Sequence, residues 1–154
     1  MPEKARRTAA AGTILSFDFG LQRVGVALGE TEVGTAHPLP PLAAATQPGR
    51  FTAIARLVKE WKPALFVVGR PLGEDGEPHE MTRRAERFAR QLAGRFGLPV
   101  EFVDERYSSA EVESRMRAAY GARKAVKLAR GKALDSQAAQ LLLQQYFDER
   151  AAHD

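Results

Sequence analysis

The sequence predicts an α/β domain. Its core would be a mixed five-stranded sheet, a three-strand antiparallel meander followed by parallel strands, with helices on both faces. Three observations predict it. Two apolar runs, Thr13 to Phe19 and Arg23 to Leu28, flank a short turn and read as a hairpin. Ala64 to Gly69 is a continuous apolar run, the pattern of a strand covered on both faces. After it, helical and strand patterns alternate toward the C-terminus, as they do where crossover helices pack on a sheet.

In the first strand Ile14, Ser16 and Asp18 alternate onto one face, and Leu15, Phe17 and Phe19 onto the other. A carboxylate set among β-formers costs several kcal/mol if it stays unpaired. Asp18 therefore calls for a partner, a cation or a chemical task, and Gly20 leaves the backbone beside it bare. A short third strand is expected over Val33 to His37, then a Pro-rich link over Pro38 to Pro48. Phe51, Ile54, Ala55, Val58 and Trp61 recur at helical spacing, so Gly49 to Lys62 is a helix with one buried stripe. Arg70 to Pro78, with its prolines and glycines, reads as a loop.

Glu80 to Phe96 is a longer helix with Met81, Ala85, Phe88, Leu92 and Phe96 on one face. Arg83, Arg84, Arg87 and Arg90 share the other. Glu80 with Arg84 and Glu86 with Arg90 are spaced for pairing, which favours a solvated face. Gly97 stops this helix, and Leu98 to Val103 is the next strand. Ser108-Ser109-Ala110-Glu111 is a capping box opening a helix to about Ala119. Gly121 to Gly131 is a basic linker, and the last helix runs from about Lys132 to Asp148.

The 154 residues suit one domain over 13–150, behind a flexible N-terminal tail over 1–12. There is no cysteine, which excludes disulfides and thiolate chemistry and suits a reducing, cytoplasmic setting. His37, His79 and His153 lie too far apart for ligand spacing. No apolar run approaches the roughly 20 residues that cross a bilayer, so no membrane role is expected. A formal charge of +4 and a pI near 9.7 favour an anionic partner such as nucleic acid.

Candidate chemistry collects on acids. At about 100° per residue, Leu134, Ala138, Leu141, Leu142 and Tyr146 form one apolar arc of the last helix. Asp135 falls inside that arc, while Gln137, Gln140 and Gln144 take the opposite side, so this carboxylate is expected to face the sheet. A further acid comes from Asp104-Glu105-Arg106 at a strand end. Alternation sends Asp104 and Glu105 to opposite faces, so only one can join a given cluster. Acids from a strand centre, a strand end and an inward helix face can converge on hard divalent cations such as Mg²⁺ or Mn²⁺. Two such ions roughly 4 Å apart promote phosphodiester hydrolysis. From Ser114 to Leu134 the chain carries seven basic residues and no acid: Arg115, Arg117, Arg123, Lys124, Lys127, Arg130 and Lys132. Placed between Glu105 and Asp135, this segment could clamp a phosphate backbone.

Four groups of residues together resemble the YqgF/RuvX family. They are Asp18-Phe19-Gly20 with Arg23-Val24-Gly25-Val26-Ala27; Val67-Val68-Gly69-Arg70-Pro71 with Asp75-Gly76; Asp104-Glu105-Arg106 with Ser108-Ser109-Ala110-Glu111; and Asp135-Ser136 with Ala138-Ala139 and Leu142 to Tyr146. The resemblance covers nearly the whole chain, in the family's order. It implies a ribonuclease H-like fold related to RuvC resolvases. It also implies Asp18, Glu105 and Asp135 as catalytic acids holding one or two Mg²⁺ or Mn²⁺ ions, and so selects Glu105 over Asp104. Arg70 departs from the family, where a smaller or apolar residue is common, as does Tyr107, where Leu is usual.

The function expected is metal-dependent hydrolysis of RNA at the 5′ end of precursor 16S rRNA, leaving 5′-phosphate and 3′-hydroxyl ends. Arg23, Arg106, Arg123, Lys124, Lys127, Arg130 and Lys132 would grip phosphates, with ribosomal precursor particles as a partner. Resolution of Holliday-junction DNA by a dimer is the alternative to this reading, in which a monomer suffices. A non-catalytic nucleic-acid-binding protein is the second alternative. Clustered acids argue against it, because they weaken a pure polyanion binder.

Overall fold

The computed structural model describes residues 12–20, 23–43, 47–72, 77–105 and 133–153. The expected tail up to residue 11 and the basic linker lie outside them, as does the helix expected from Ser108. In chain order the elements are β1 (Thr13–Phe19), β2 (Arg23–Glu30), β3 (Ala36–Ala43), α1 (Gln47–Trp61), β4 (Leu65–Pro71), α2 (Glu80–Phe96), β5 (Val100–Glu105) and α3 (Ala133–His153). The five strands form one sheet in the order β3-β2-β1-β4-β5. Strands β1, β2 and β3 pair antiparallel, and β4 and β5 join parallel to β1. The expected meander and parallel extension are both present.

Alternation along the strands divides the apolar residues between two cores. Leu15, Phe17, Val24, Val26, Phe66 and Val68 pack against Phe51 and Ile54 of α1 and Phe88, Ala89 and Leu92 of α2. Phe17 anchors this side, with its ring centroid 5.7 Å from both Phe66 and Phe88. On the other face Ile14, Ala27, Ala36, Leu65, Val67 and Val103 meet Ala139, Leu142, Leu143, Tyr146 and Phe147 of α3. Ser16 is also buried there, and its hydroxyl donates to the Ala139 carbonyl at 2.9 Å, so the polar group is satisfied.

Several boundaries differ from expectation. The third strand is not Val33 to His37 but Ala36–Ala43, so it runs through three prolines that read as a link. Two physical reasons permit this. Strand β3 is a sheet edge, where a missing N–H can face outward. Its register also slips: Val24 pairs with Leu42 but Val26 with Leu39, which leaves one extra residue on β3 around Pro40 and Pro41. Arg70 and Pro71 continue β4 instead of starting a loop, and β5 begins later and runs on to Glu105. Helix α2 has its expected span and closes on Gly97, whose φ of 66° is left-handed and whose N–H returns to Ala93.

The flank of α3 expected to face away from the sheet is the largest correction. Gln140 and Gln144 instead line the outer edge of β3. Gln144 accepts from the Ala36 N–H at 3.1 Å and donates to the Gly34 carbonyl at 2.9 Å, while Gln140 donates to the Ala36 carbonyl at 2.9 Å. Ser136 donates to the Leu39 carbonyl on the same edge. The glutamines serve as a substitute strand, satisfying backbone groups that an edge leaves open.

Candidate functional site

Asp18 and Glu105 emerge on the same face of the sheet, the one covered by α3. Asp18 shares its face with Ser16, which bonds to α3, and Glu105 shares its face with Val103, which packs under α3. Both acids are half-buried and stand at the C-terminal ends of their strands. Asp104 takes the opposite face. There its carboxylate accepts from Arg70 Nε and Nη2, both at 3.0 Å. Of the two neighbouring acids, Glu105 is the one that shares the α3-covered face with Asp18.

The floor between the acids is bare. Asp18 pairs across to Gly25 on β2, and the pairing of Phe17 with Val68 brings Asp18 level with Gly69 on β4. Strand β5 lies beyond, with Val103 opposite Gly69. A Cβ at residue 69 would lie 2.9 Å from both Cγ and Cδ of Glu105 and 2.5 Å from Leu142 Cδ1. Glu105 therefore lies across β4 toward β1, over space that only glycine leaves open. Gly20 is similarly obliged, since a Cβ there would stand 2.5 Å from the Arg23 carbonyl oxygen. Arg23 begins β2 at this same end, and alternation sets it on the face of Asp18 and Gly25.

Helix α3 runs antiparallel to β1: Ala139 lies at Ser16, whereas Phe147 lies against Gly29, which pairs with Ile14. Four residues before Ala139, about 6 Å along the axis, the helix backbone at Asp135 approaches the strand ends that carry Asp18 and Glu105. The Asp135 side chain lies outside the described set. Among the described residues, no three His, Cys, Asp or Glu side chains form a metal-binding group. Arg106, Arg123, Lys124, Lys127, Arg130 and Lys132 also lie outside the described residues.

Sequence reading missed two contributors. Gly69 was visible only as the end of an apolar run, because a close approach from the next strand leaves no local mark. Arg70 stood out as a departure from the family pattern, but its contacts with Asp104 and with Glu86, at 3.9 Å, require the β4–β5 register. Glu86 was expected to pair with Arg90. Glu80 with Arg84 forms as expected at 2.8 Å, and Arg84 holds the Glu80 carboxyl below its ordinary range.

Known proteins resemble this chain over nearly its whole length. A family model described as "RuvX: Holliday junction resolvase" matches residues 12–149. A protein of Burkholderia vietnamiensis named "Putative pre-16S rRNA nuclease" is 46% identical over 147 residues, covering 96% of each chain. One of the same name from Dechloromonas aromatica is 50% identical over 137 residues, covering 89% of this chain and 91% of its own. Among solved structures, T. thermophilus RuvC in complex with Holliday junction substrate superposes with a TM-score of 0.56 at 16% identity, covering 91% of this chain and 96% of that one. The Fowlpox virus resolvase bound to junction DNA gives 0.56 at 14% identity, covering 90% and 98%. These two likenesses bear on the fold, which is the ribonuclease H-like one that the motifs imply.

Proposed function

The chain belongs to the RuvX family, and from that premise we propose that this nuclease uses Asp18, Glu105 and Asp135 to hold one or two Mg²⁺ or Mn²⁺ ions and trims the 5′ end of precursor 16S rRNA. The observation that carries the reading is the convergence of Asp18 and Glu105 on one face across the bare backbone of Gly69. Carboxylate oxygens suit hard divalent cations, and the glycine lets Glu105 lean over β4 toward the strand that carries Asp18. Two half-buried acids on one face would otherwise disfavour a polyanion there. When bound there, the metal supplies Lewis-acid activation of water and neutralises charge on the leaving oxygen.

The chain's own groups do the positioning. Arg23, on the face of Asp18, would hold a phosphate beside the acids. The basic residues Arg106, Arg123, Lys124, Lys127, Arg130 and Lys132 extend the grip along the backbone. Products are a 5′-phosphate and a 3′-hydroxyl. Relatives at 46% and 50% identity favour ribosomal RNA. The family description supports junction DNA as the second substrate, for which a homodimer would cut symmetrically. Among the described residues no helix is long and apolar enough to cross a membrane, and action on ribosomal precursors would be cytoplasmic work.

The test is cleavage by the purified protein with Mn²⁺ or Mg²⁺ on precursor 16S rRNA, unrelated single-stranded RNA and a four-way junction. Asp18→Asn is expected to lower the rate by at least about 100-fold while RNA binding stays equal or tightens. Unchanged cleavage by that variant sinks the metal-site reading. Symmetric junction cutting with inert RNA reverses the substrate order.

A further inference from the structure

We infer that Arg70 is a positioning residue: by fastening Asp104 on the far face of the sheet, it fixes how Glu105 is presented on the near face. The inference rests on the reading of Glu105 as a metal-holding acid and adds a residue that acts through its neighbour. The β4–β5 ladder ends with Arg70 paired to Asp104 and Pro71 paired to Glu105. The Phe66 N–H donates to the Pro99 carbonyl, so by alternation the Arg70 N–H faces β5, and Pro71, whose N position faces away from β5, removes no donor from this ladder. The Pro71 carbonyl is also drawn toward α2, where the Thr82 hydroxyl donates to it. Among the described residues Glu105 thus sits on the last rung of the β4–β5 ladder, one residue after Asp104.

Arg70 adds a side-chain tie at this end of the ladder. Its Nε and Nη2 both reach Asp104 Oδ1 at 3.0 Å, its Nη1 lies 3.9 Å from Glu86 of α2, and its guanidinium lies 5.5 Å from the centre of the Phe102 ring. The cation is therefore held from three sides, on the face opposite the acids. Two effects follow for Glu105. The Cα of residue 104 is pinned to β4, so the next residue leaves the strand at a set angle, with its side chain over Gly69. Asp104, an equally good oxygen donor one position away, is kept from swinging into the acid cluster. An apolar residue at position 70 provides neither effect.

Metal binding can be read without turnover by titrating Mn²⁺ and following the free ion's electron paramagnetic resonance signal. Arg70→Leu and Asp104→Asn are each expected to weaken Mn²⁺ binding by about tenfold, as loss of a group that orients a ligand does. The double variant should be no worse than either single one, because both remove one clamp. Arg70→Lys should recover part of the loss, and cleavage should fall in kcat with little change in KM for RNA. Asp104→Asn, being isosteric, keeps the test sound if the leucine variant folds poorly. Three results overturn the inference: Mn²⁺ binding in Arg70→Leu as tight as in the parent or tighter; additive losses in the double variant; or a defect confined to RNA affinity, which makes Arg70 a substrate contact. Glu105→Gln separates the two levels. If it abolishes Mn²⁺ binding while Arg70→Leu has no effect, only the positioning role falls. If it binds Mn²⁺ like the parent, the metal reading falls and the inference falls with it.

Discussion

Gly69 illustrates how a residue with no side chain can decide the geometry around it. Glu105 and Leu142 both approach the place where its Cβ would be, at 2.9 and 2.5 Å, from an adjacent strand and from a helix. Leu142 belongs to the packed core and yields little, so a methyl there displaces the thinner, half-buried Glu105 first. We expect Gly69→Ala to cost about 1–3 kcal/mol of stability through overpacking, and to lower cleavage far more than that loss explains at a temperature where the variant is fully folded. A urea unfolding curve and a cleavage assay on one preparation separate the two effects. Full activity with reduced stability would show that Glu105 has no fixed seat. At this scale the acids were legible because a carboxylate on a strand is chemically conspicuous. The glycine between them was not, because its constraint comes from residues 36 and 73 positions away.

At the scale of elements, β3 and α3 depend on each other in a way that hydrophobic patterning does not reveal. A helical wheel separates polar from apolar positions but carries no information about which sheet edge lies beside the polar flank. Gln140 and Gln144 thus read as facing away, while prolines 38, 40 and 41 read as a link. Both readings change once β3 is known to be an edge strand with a bulge. Phe51 and Ile54 in α1, and Ala85, Phe88 and Leu92 in α2, are buried as the helical period predicts, whereas Ala55 and Trp61 of the expected α1 stripe are exposed. Ala36 is 1% exposed, and Gln144 accepts its N–H. Gln144→Ala leaves that donor and the Gly34 carbonyl without this partner. It should cost about 1–3 kcal/mol, the range for a buried group left unsatisfied. Gln145→Ala, one position along and bonded only locally to Glu149, is the control. Equal urea midpoints for the two variants would exclude the edge-capping role.

Across the whole molecule, α3 reaches both margins of the sheet. Its glutamines hold β3, and on its opposite flank Tyr146 meets Glu101 of β5. This reach makes global stability respond to one phenol. Tyr146 is 7% exposed, and its pKa is pushed up to about 12, first by burial and then by the hydrogen bond and negative charge of Glu101. Arg150, which donates to the Tyr146 oxygen at 3.2 Å, acts in the opposite direction but more weakly. In the unfolded chain the same phenol titrates near its ordinary value of 10.0. Below pH 10 both states keep the proton and the group contributes no pH dependence. Between pH 10 and about 12 the unfolded state releases it first, so the native state binds more protons and stability falls as pH rises. The slope from this residue approaches about 1.4 kcal/mol per pH unit at its steepest. Tyr146→Phe keeps the ring and loses the titration, so its stability should decline less steeply than the parent's between pH 9.5 and 11.5 in urea unfolding series, the other tyrosines and the lysines being common to both. Parallel pH profiles would show that the Tyr146–Glu101 contact does not persist in solution, and that α3 is tied to β5 by apolar packing alone.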